Sequence, residues 1–469
     1  MTRKFKLSLI AVILLCIPAF SVAQEEDQDN ADAFFIRKIY DHSLTKGKSY
    51  DWLMYLSNRI GGRLSGSPQA AAAVEYTRQE MIQMGMDNVY LQECMVPHWI
   101  RGEKEIVRIV NSPSIGSMDL RALALGNSDG TGPKGLTAEV IEVQSLDEVD
   151  SLGEAVAGKI VFYNRPMDPT QLNTFYAYGG AVDQRGVGPA RAAKYGAAAA
   201  VVRSMTMNLD DVPHTGATNF RPGDTRIPAL AISTNDAELL SELLEKETVR
   251  LYLRNTSKMM DELTLSYNVI GEIKGSTYPD EIIVIGGHLD SWDIGKGTHD
   301  DGAGCVQAMD VINILKSVGY TPQRTIRSVM FMNEENGLKG ALAYRDSSNA
   351  HKEYHMAAIE SDRGGFTPRG FTFDADEAVF NTKFEQVLKW LPLLESYGLN
   401  FKKGGSGADV NPLKSQKGLL IGFEPDSQRY FDYHHAPTDR DDVVNKRELE
   451  LGVAAITSLV YLLDKYGLK

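Results

Sequence analysis

From about residue 267 onward, short apolar runs alternate with stretches of helical period. The runs at 281–285, 328–332, 357–359 and 419–423 lack polar alternation, the pattern of strands buried on both faces of a parallel sheet. Helical segments lie between them, for example at 302–317, and a last helix is expected at 446–466. Earlier, residues 31–55 read as helix and 59–68 as a loop. Ser67 and Pro68 make an N-cap and first-turn pair for a helix ending near Gly85. A strand pair is expected at 88–96 and 106–110. Between residues 121 and 255 the character changes to short strands, at 136–143, 159–163, 198–202 and 227–232, set among glycine-rich turns. The pattern predicts an α/β catalytic unit, residues 24–120 and 256–469, interrupted by a β-rich inserted domain, 121–255. With His214 as its one histidine, the insert is expected to carry no chemistry of its own.

Composition changes this picture little. A chain of 469 residues with 43% apolar and 24% charged residues is long enough for two domains with substantial cores. Residues 1–23 carry Arg3, Lys4 and Lys6, an apolar stretch and a Ser-Val-Ala ending, which predicts a secretory signal cleaved after Ala23 and a secreted or periplasmic protein. Its removal takes the net charge from −13 to −16, since those three cations leave with it. Nucleic acid is excluded as a partner on charge, and no further apolar run is long enough to span a membrane. Only Cys94 and Cys305 remain, so a disulfide framework is not expected.

Candidate chemistry collects at the ends of the apolar runs. The first runs into Gly287-His288-Leu289-Asp290 and on to Asp300-Asp301-Gly302, the second into Asn333-Glu334-Glu335, the third into Glu360-Ser361-Asp362 and the fourth into a loop ending His434-His435. Open α/β sheets bind ligands beyond the carboxyl ends of their strands, so these groups are expected on one rim. Imidazole and carboxylate in this number suit a pair of divalent metals, and without cations the carboxylates would repel one another.

These motifs, in order, with Arg63-Leu64-Ser65-Gly66-Ser67 near the start, resemble the secreted co-catalytic zinc exopeptidases of the carboxypeptidase Q-like group. The resemblance covers nearly the whole chain after residue 23. It implies a zinc exopeptidase fold, a mixed and mostly parallel sheet flanked by helices, with residues 121–255 as a protease-associated domain. It also implies two Zn²⁺ per chain, short peptides as substrate and a possible homodimer. Carried over by motif, His288 and Asp362 bind one metal, Glu335 and His435 the other, and Asp300 bridges them. Glu334 is the general base, Asp290 orients the ring of His288, and His434 helps to stabilise the oxyanion. His435 is chosen over His434 because Asp439 lies four residues beyond it. Ser406 and Asp409 are candidates for substrate contact. Relatives commonly follow the aspartate at position 439 with threonine or serine; here Arg440 follows.

Simpler roles are expected elsewhere. Asp293 and His299 read as parts of a solvated turn and Asp301 as a turn support. His42, His98, His351 and His355 read as surface or packing residues, and Cys305 as a packing residue in a buried helix. The alternatives are a single-zinc glutaminyl cyclase-like acyltransferase, a receptor-like member of the same fold without catalysis, and a two-metal hydrolase of carbohydrates or phosphoesters.

Overall fold

The computed structural model describes residues 30–469; the expected signal segment lies outside them. An eight-stranded mixed sheet forms the catalytic unit. In spatial order its strands are Asn88–Val96, Thr264–Ile273, Arg324–Phe331, Tyr278–His288, Tyr354–Glu360, Leu419–Pro425, Pro368–Asp374 and Asn400–Lys403. The four central strands, from Arg324–Phe331 to Leu419–Pro425, run parallel. Their register pairs His288 with Phe331, Gly286 with Glu360, and Glu360 with Gly422, so their carboxyl ends finish together. The helices Ala303–Ser317 and Lys446–Tyr466 pack together against the sheet, and the apolar residues between these layers form the main core.

Local signals explain the element ends. Ser67 caps the helix Pro68–Gln83 by accepting from the Ala70 amide at 3.1 Å. The helix expected at 31–55 is broken at Gly47 and Lys48, where the Asp310 carboxylate accepts from the amides of Lys48 and Ser49 and starts the helix Ser49–Tyr55. Side chains on the neighbouring helix, not the local pattern, make that break.

The expected strand pair near residues 88–110 does not form. Asn88–Val96 pairs with Thr264–Ile273, while Ile106–Ser112 joins a second eight-stranded sheet beside Arg250–Arg254. That sheet therefore begins well before residue 121. Its middle strands, Leu136–Val143, Ile160–Tyr163, Ala199–Arg203 and Ala229–Ile232, are parallel and joined through helices such as Gly188–Lys194, so the β-rich insert also carries helices of its own. It is not self-contained: Phe366, Tyr430, Phe431 and Tyr433 of the catalytic unit share one apolar cluster with Val143, Val161 and Ala200 of the insert. No helix among the described residues is long and apolar enough to cross a membrane. Cys94 and Cys305 are free and buried.

Candidate metal centre and cleft

Parallel register brings His288, Asn333–Glu335 and Asp362 to one rim; the loop after Leu419–Pro425 adds His434 and His435. Close packing fixes the loop between the strand Tyr278–His288 and the helix Ala303–Ser317. A Cβ on Gly304 would stand 1.7 Å from the Ser361 carbonyl oxygen, and one on Gly287 would stand 2.3 Å from the Asp301 carboxylate. Only glycine allows those approaches.

Asp300 lies at the centre. Its Oδ1 is 3.1 Å from His288 Nε2, and its Oδ2 is 3.3 Å from His435 Nε2. His288 Nε2 is also 3.5 Å from Asp362 Oδ1, and His435 Nε2 is 3.1 Å from Glu335 Oε2. One carboxylate thus separates two donor sets, His288 with Asp362 and His435 with Glu335. His434 stacks on His435 with ring centroids 3.5 Å apart, but its Nε2 is 3.8 Å from Asp300 Oδ2, so His435 is the better placed donor.

The residues present fit bound cations. Asp300 Oδ2, Glu335 Oε1 and Asp362 Oδ1 are buried without a hydrogen-bond donor, an arrangement that cations in place of donors would satisfy. Donor atoms of three triads, Asp300/His434/His435, His288/Asp301/Asp362 and His288/Asp300/Glu335, lie within 4.8 Å of one another. Asp301 is best read as a support, because its two oxygens already accept from the amides of His288 at 3.0 Å and Gly304 at 2.9 Å.

Burial and mutual repulsion set the protonation of this cluster. Burial, with neighbouring Asp362, Asp300 and Asp290, raises the Glu334 carboxyl to about 8. Burial raises Glu335 and Asp362 as well. Burial would raise Asp300 too, but His288 and His435 hold it below the ordinary carboxylate value. Burial drives His434 and His435 well below the usual imidazole value. Neutral imidazole is the form that donates a lone pair to a metal.

Supporting contacts refine several expectations. The His288 ring is oriented by the main-chain carbonyl of Asp290, 2.9 Å from Nδ1, while the Asp290 carboxylate is 3.9 Å away. That carboxylate instead accepts from the amides of Asn333 at 2.6 Å and Glu334 at 3.1 Å, fixing the turn that carries the Glu334–Glu335 pair. Asp439 accepts from the amides of Thr298, His299 and Asp300 and so holds the loop that presents Asp300. Buried Arg63 donates to the carbonyls of Leu289, Lys296 and Gly297, which accounts for the early Arg63 motif. Arg440, the departure from the family pattern, is exposed and pairs with Asp442.

Other expectations are overturned. His299 is not in a solvated turn: it is fully buried and its ring packs against both Phe366 and Tyr433. Asp293, by contrast, lies exposed in that turn as expected and pairs with Arg101 at 2.7 Å. Ser406 and Asp409 are buried behind the rim, close to Glu360, and do not line the cleft. His355 is a buried packing residue, as expected.

A cavity of about 580 Å³ opens on the centre, lined by Asp300, Glu334, Glu335, Asp362 and His435 on the catalytic side. The insert supplies Phe175, Tyr178 and Arg185, so it is not without a part in the site. Sequence reasoning missed these three because the contact is long-range and no motif marks it.

The model of peptidase family M28 matches residues 268–459. Carboxypeptidase Q from Bos taurus is 33% identical over 420 residues, covering 89% of this chain and 85% of that protein. The chain belongs to peptidase family M28. The crystal structure of a peptidase M28 precursor from Shewanella amazonensis SB2B superimposes on it with a TM-score of 0.88 at 31% identity, over 94% of this chain and 99% of that one. A zinc aminopeptidase from Bacillus subtilis shares the fold at a TM-score of 0.64 and 21% identity, over 90% of this chain and 96% of its own. The mixed sheet and its helical layers are therefore the scaffold of an M28 peptidase.

Proposed function

We propose that this M28 peptidase is an exported di-zinc exopeptidase that hydrolyses short peptides. The observation that supports it most is Asp300, with Oδ1 toward His288 and Oδ2 toward His435. His288 and Asp362 would hold one Zn²⁺, Glu335 and His435 the other, and Asp300 would serve both. When bound, the two ions supply a water of lowered pKa and a Lewis acid for the scissile carbonyl.

The protein residues do the remaining work. Glu334 opens to the cleft from the turn held by Asp290, takes a proton from the attacking water and returns it to the leaving amine. His434 faces the same cleft and is suited to donate a hydrogen bond to the developing oxyanion. The insert, read as a protease-associated domain, closes the cleft and limits the length of peptide admitted. A complete donor set favours an enzyme over a receptor-like relative, and a bridging carboxylate favours two metals over a single-zinc acyltransferase.

The test is hydrolysis of a panel of dipeptides and longer peptides, with free and blocked termini, before and after chelation. Chelator-sensitive release of terminal residues is expected. Turnover unaffected by complete metal removal would contradict the proposal.

A further inference from the structure

His214, the one histidine of the insert, is buried in the segment that follows the strand Ala199–Arg203. Its Nδ1 is 2.7 Å from the His434 main-chain oxygen, which can only accept, so Nδ1 carries the ring proton and donates it. Burial lowers the imidazole to about 4 and keeps it neutral, and its Nε2 is buried without a partner. The next residue repeats the contact: the Thr215 amide donates to the His435 main-chain oxygen at 2.9 Å. The segment is itself anchored in the second sheet. Ser204 Oγ accepts from the His214 amide at 2.8 Å and donates to the Ile232 carbonyl oxygen at 2.7 Å, and Thr215 Oγ1 donates to the Ala124 carbonyl oxygen at 2.7 Å.

The two donors act on the peptide planes at either side of the His435 Cα, and holding both planes fixes the φ and ψ of that residue. His435 needs such restraint. Its φ is +60°, in the left-handed region that a residue other than glycine adopts at a cost and keeps only where its surroundings impose it. The catalytic unit holds the amides of this loop, with His434 N donating to Tyr430 O at 2.9 Å and Ala436 N to Tyr433 O at 3.0 Å; the carbonyls of His434 and His435 go to the insert. A ring with one nitrogen unpartnered is costly to bury, so on burial alone an apolar side chain would suit position 214 better. What histidine adds there is the hydrogen bond to His434.

We infer that His214 is a positioning residue for the metal site of Glu335 and His435: with the Thr215 amide it holds the His435 backbone so that Nε2 meets Glu335 and Asp300, and the insert thereby sets the affinity of that site. The inference rests on the two-zinc reading above and goes beyond it, because it makes one site, and not the other, depend on the insert. His288 ends the strand Tyr278–His288 and Asp362 follows the strand Tyr354–Glu360, so the main sheet places the other pair of donors.

The experiment measures the number of zinc ions bound and the affinity of each, by chelator competition, for wild type, His214→Leu, His214→Asn and Ser204→Ala. Leucine fills much of the ring's place without a donor, whereas asparagine sets an N–H on Cγ, where imidazole carries Nδ1. His214→Leu should weaken one of the two zinc ions about 10- to 100-fold and leave the other unchanged. His214→Asn should recover most of that affinity, a rescue that packing alone would not give. Ser204→Ala releases the His214 amide and should weaken the same ion by a smaller factor, which keeps the test decisive if His214→Leu does not fold. Unchanged affinities in His214→Leu, or in Ser204→Ala where His214→Leu does not fold, would overturn the role of His214 while leaving the two-zinc reading intact; so would equal weakening of both ions, or an asparagine variant no better than leucine. A wild type that binds a single zinc would overturn the two-zinc reading itself.

Discussion

Glu334 and Asp300 are both carboxylates at the cleft, yet their neighbours give them different work. Glu334→Gln keeps size and hydrogen-bonding reach but cannot take a proton, so it should lower kcat by about 10²- to 10⁴-fold with metal content unchanged. Asp300→Asn removes the charge between the two donor sets and should lower metal content itself. Kinetics and elemental analysis on the two variants separate base from ligand; the reverse pattern would show that the roles have been exchanged. At this scale the sequence was informative wherever local spacing carried the signal. His288, Asp300, Glu334, Glu335, Asp362 and His435 converge as their motifs imply. It was less informative about Asp290, whose main-chain oxygen rather than its carboxylate meets His288, because spacing cannot show which atom of a residue turns inward. It misplaced His299, Ser406 and Asp409, whose burial depends on segments far away in the chain.

Among the elements, the contact between insert and catalytic unit matters most to the site. Phe431 is 1% exposed and stacks on Tyr178 with ring centroids 4.8 Å apart, in the cluster both units share. Phe431→Ala should cost about 3–5 kcal/mol of stability and also loosen the segment that carries Tyr178 and Arg185. Denaturant unfolding checks the first effect, and the KM for a free dipeptide checks the second. An unchanged unfolding midpoint would mean that the two units do not depend on this packing. The central parallel strands could be read from their apolar runs. The last two strands at one side of the sheet, Pro368–Asp374 and Asn400–Lys403, and the move of Ile106–Ser112 into the second sheet, could not, since tertiary pairing decides them.

Across the molecule, buried ionisable groups tie stability to pH. His355 sits away from the metal centre, between the Tyr344 hydroxyl at 2.8 Å and the Gln416 side-chain oxygen Oε1 at 2.7 Å, and burial lowers it to about 4. The unfolded chain takes up a proton there near pH 6.5 and the folded chain only near 4, so this contribution is present above 6.5 and lost as pH falls between the two. The contribution is on the order of 3 kcal/mol. The stability gap between wild type and His355→Asn should therefore narrow from pH 7 to pH 4.5 in denaturant titrations, whereas a constant gap would show that His355 is not held neutral. The central claim, that two cations share Asp300, is tested most directly by elemental analysis of active protein and of Asp300→Asn. The account predicts two zinc ions per chain in the active protein and a loss of metal in the variant; an active enzyme with a reproducible single metal, or an Asp300→Asn protein that keeps both ions, would contradict it.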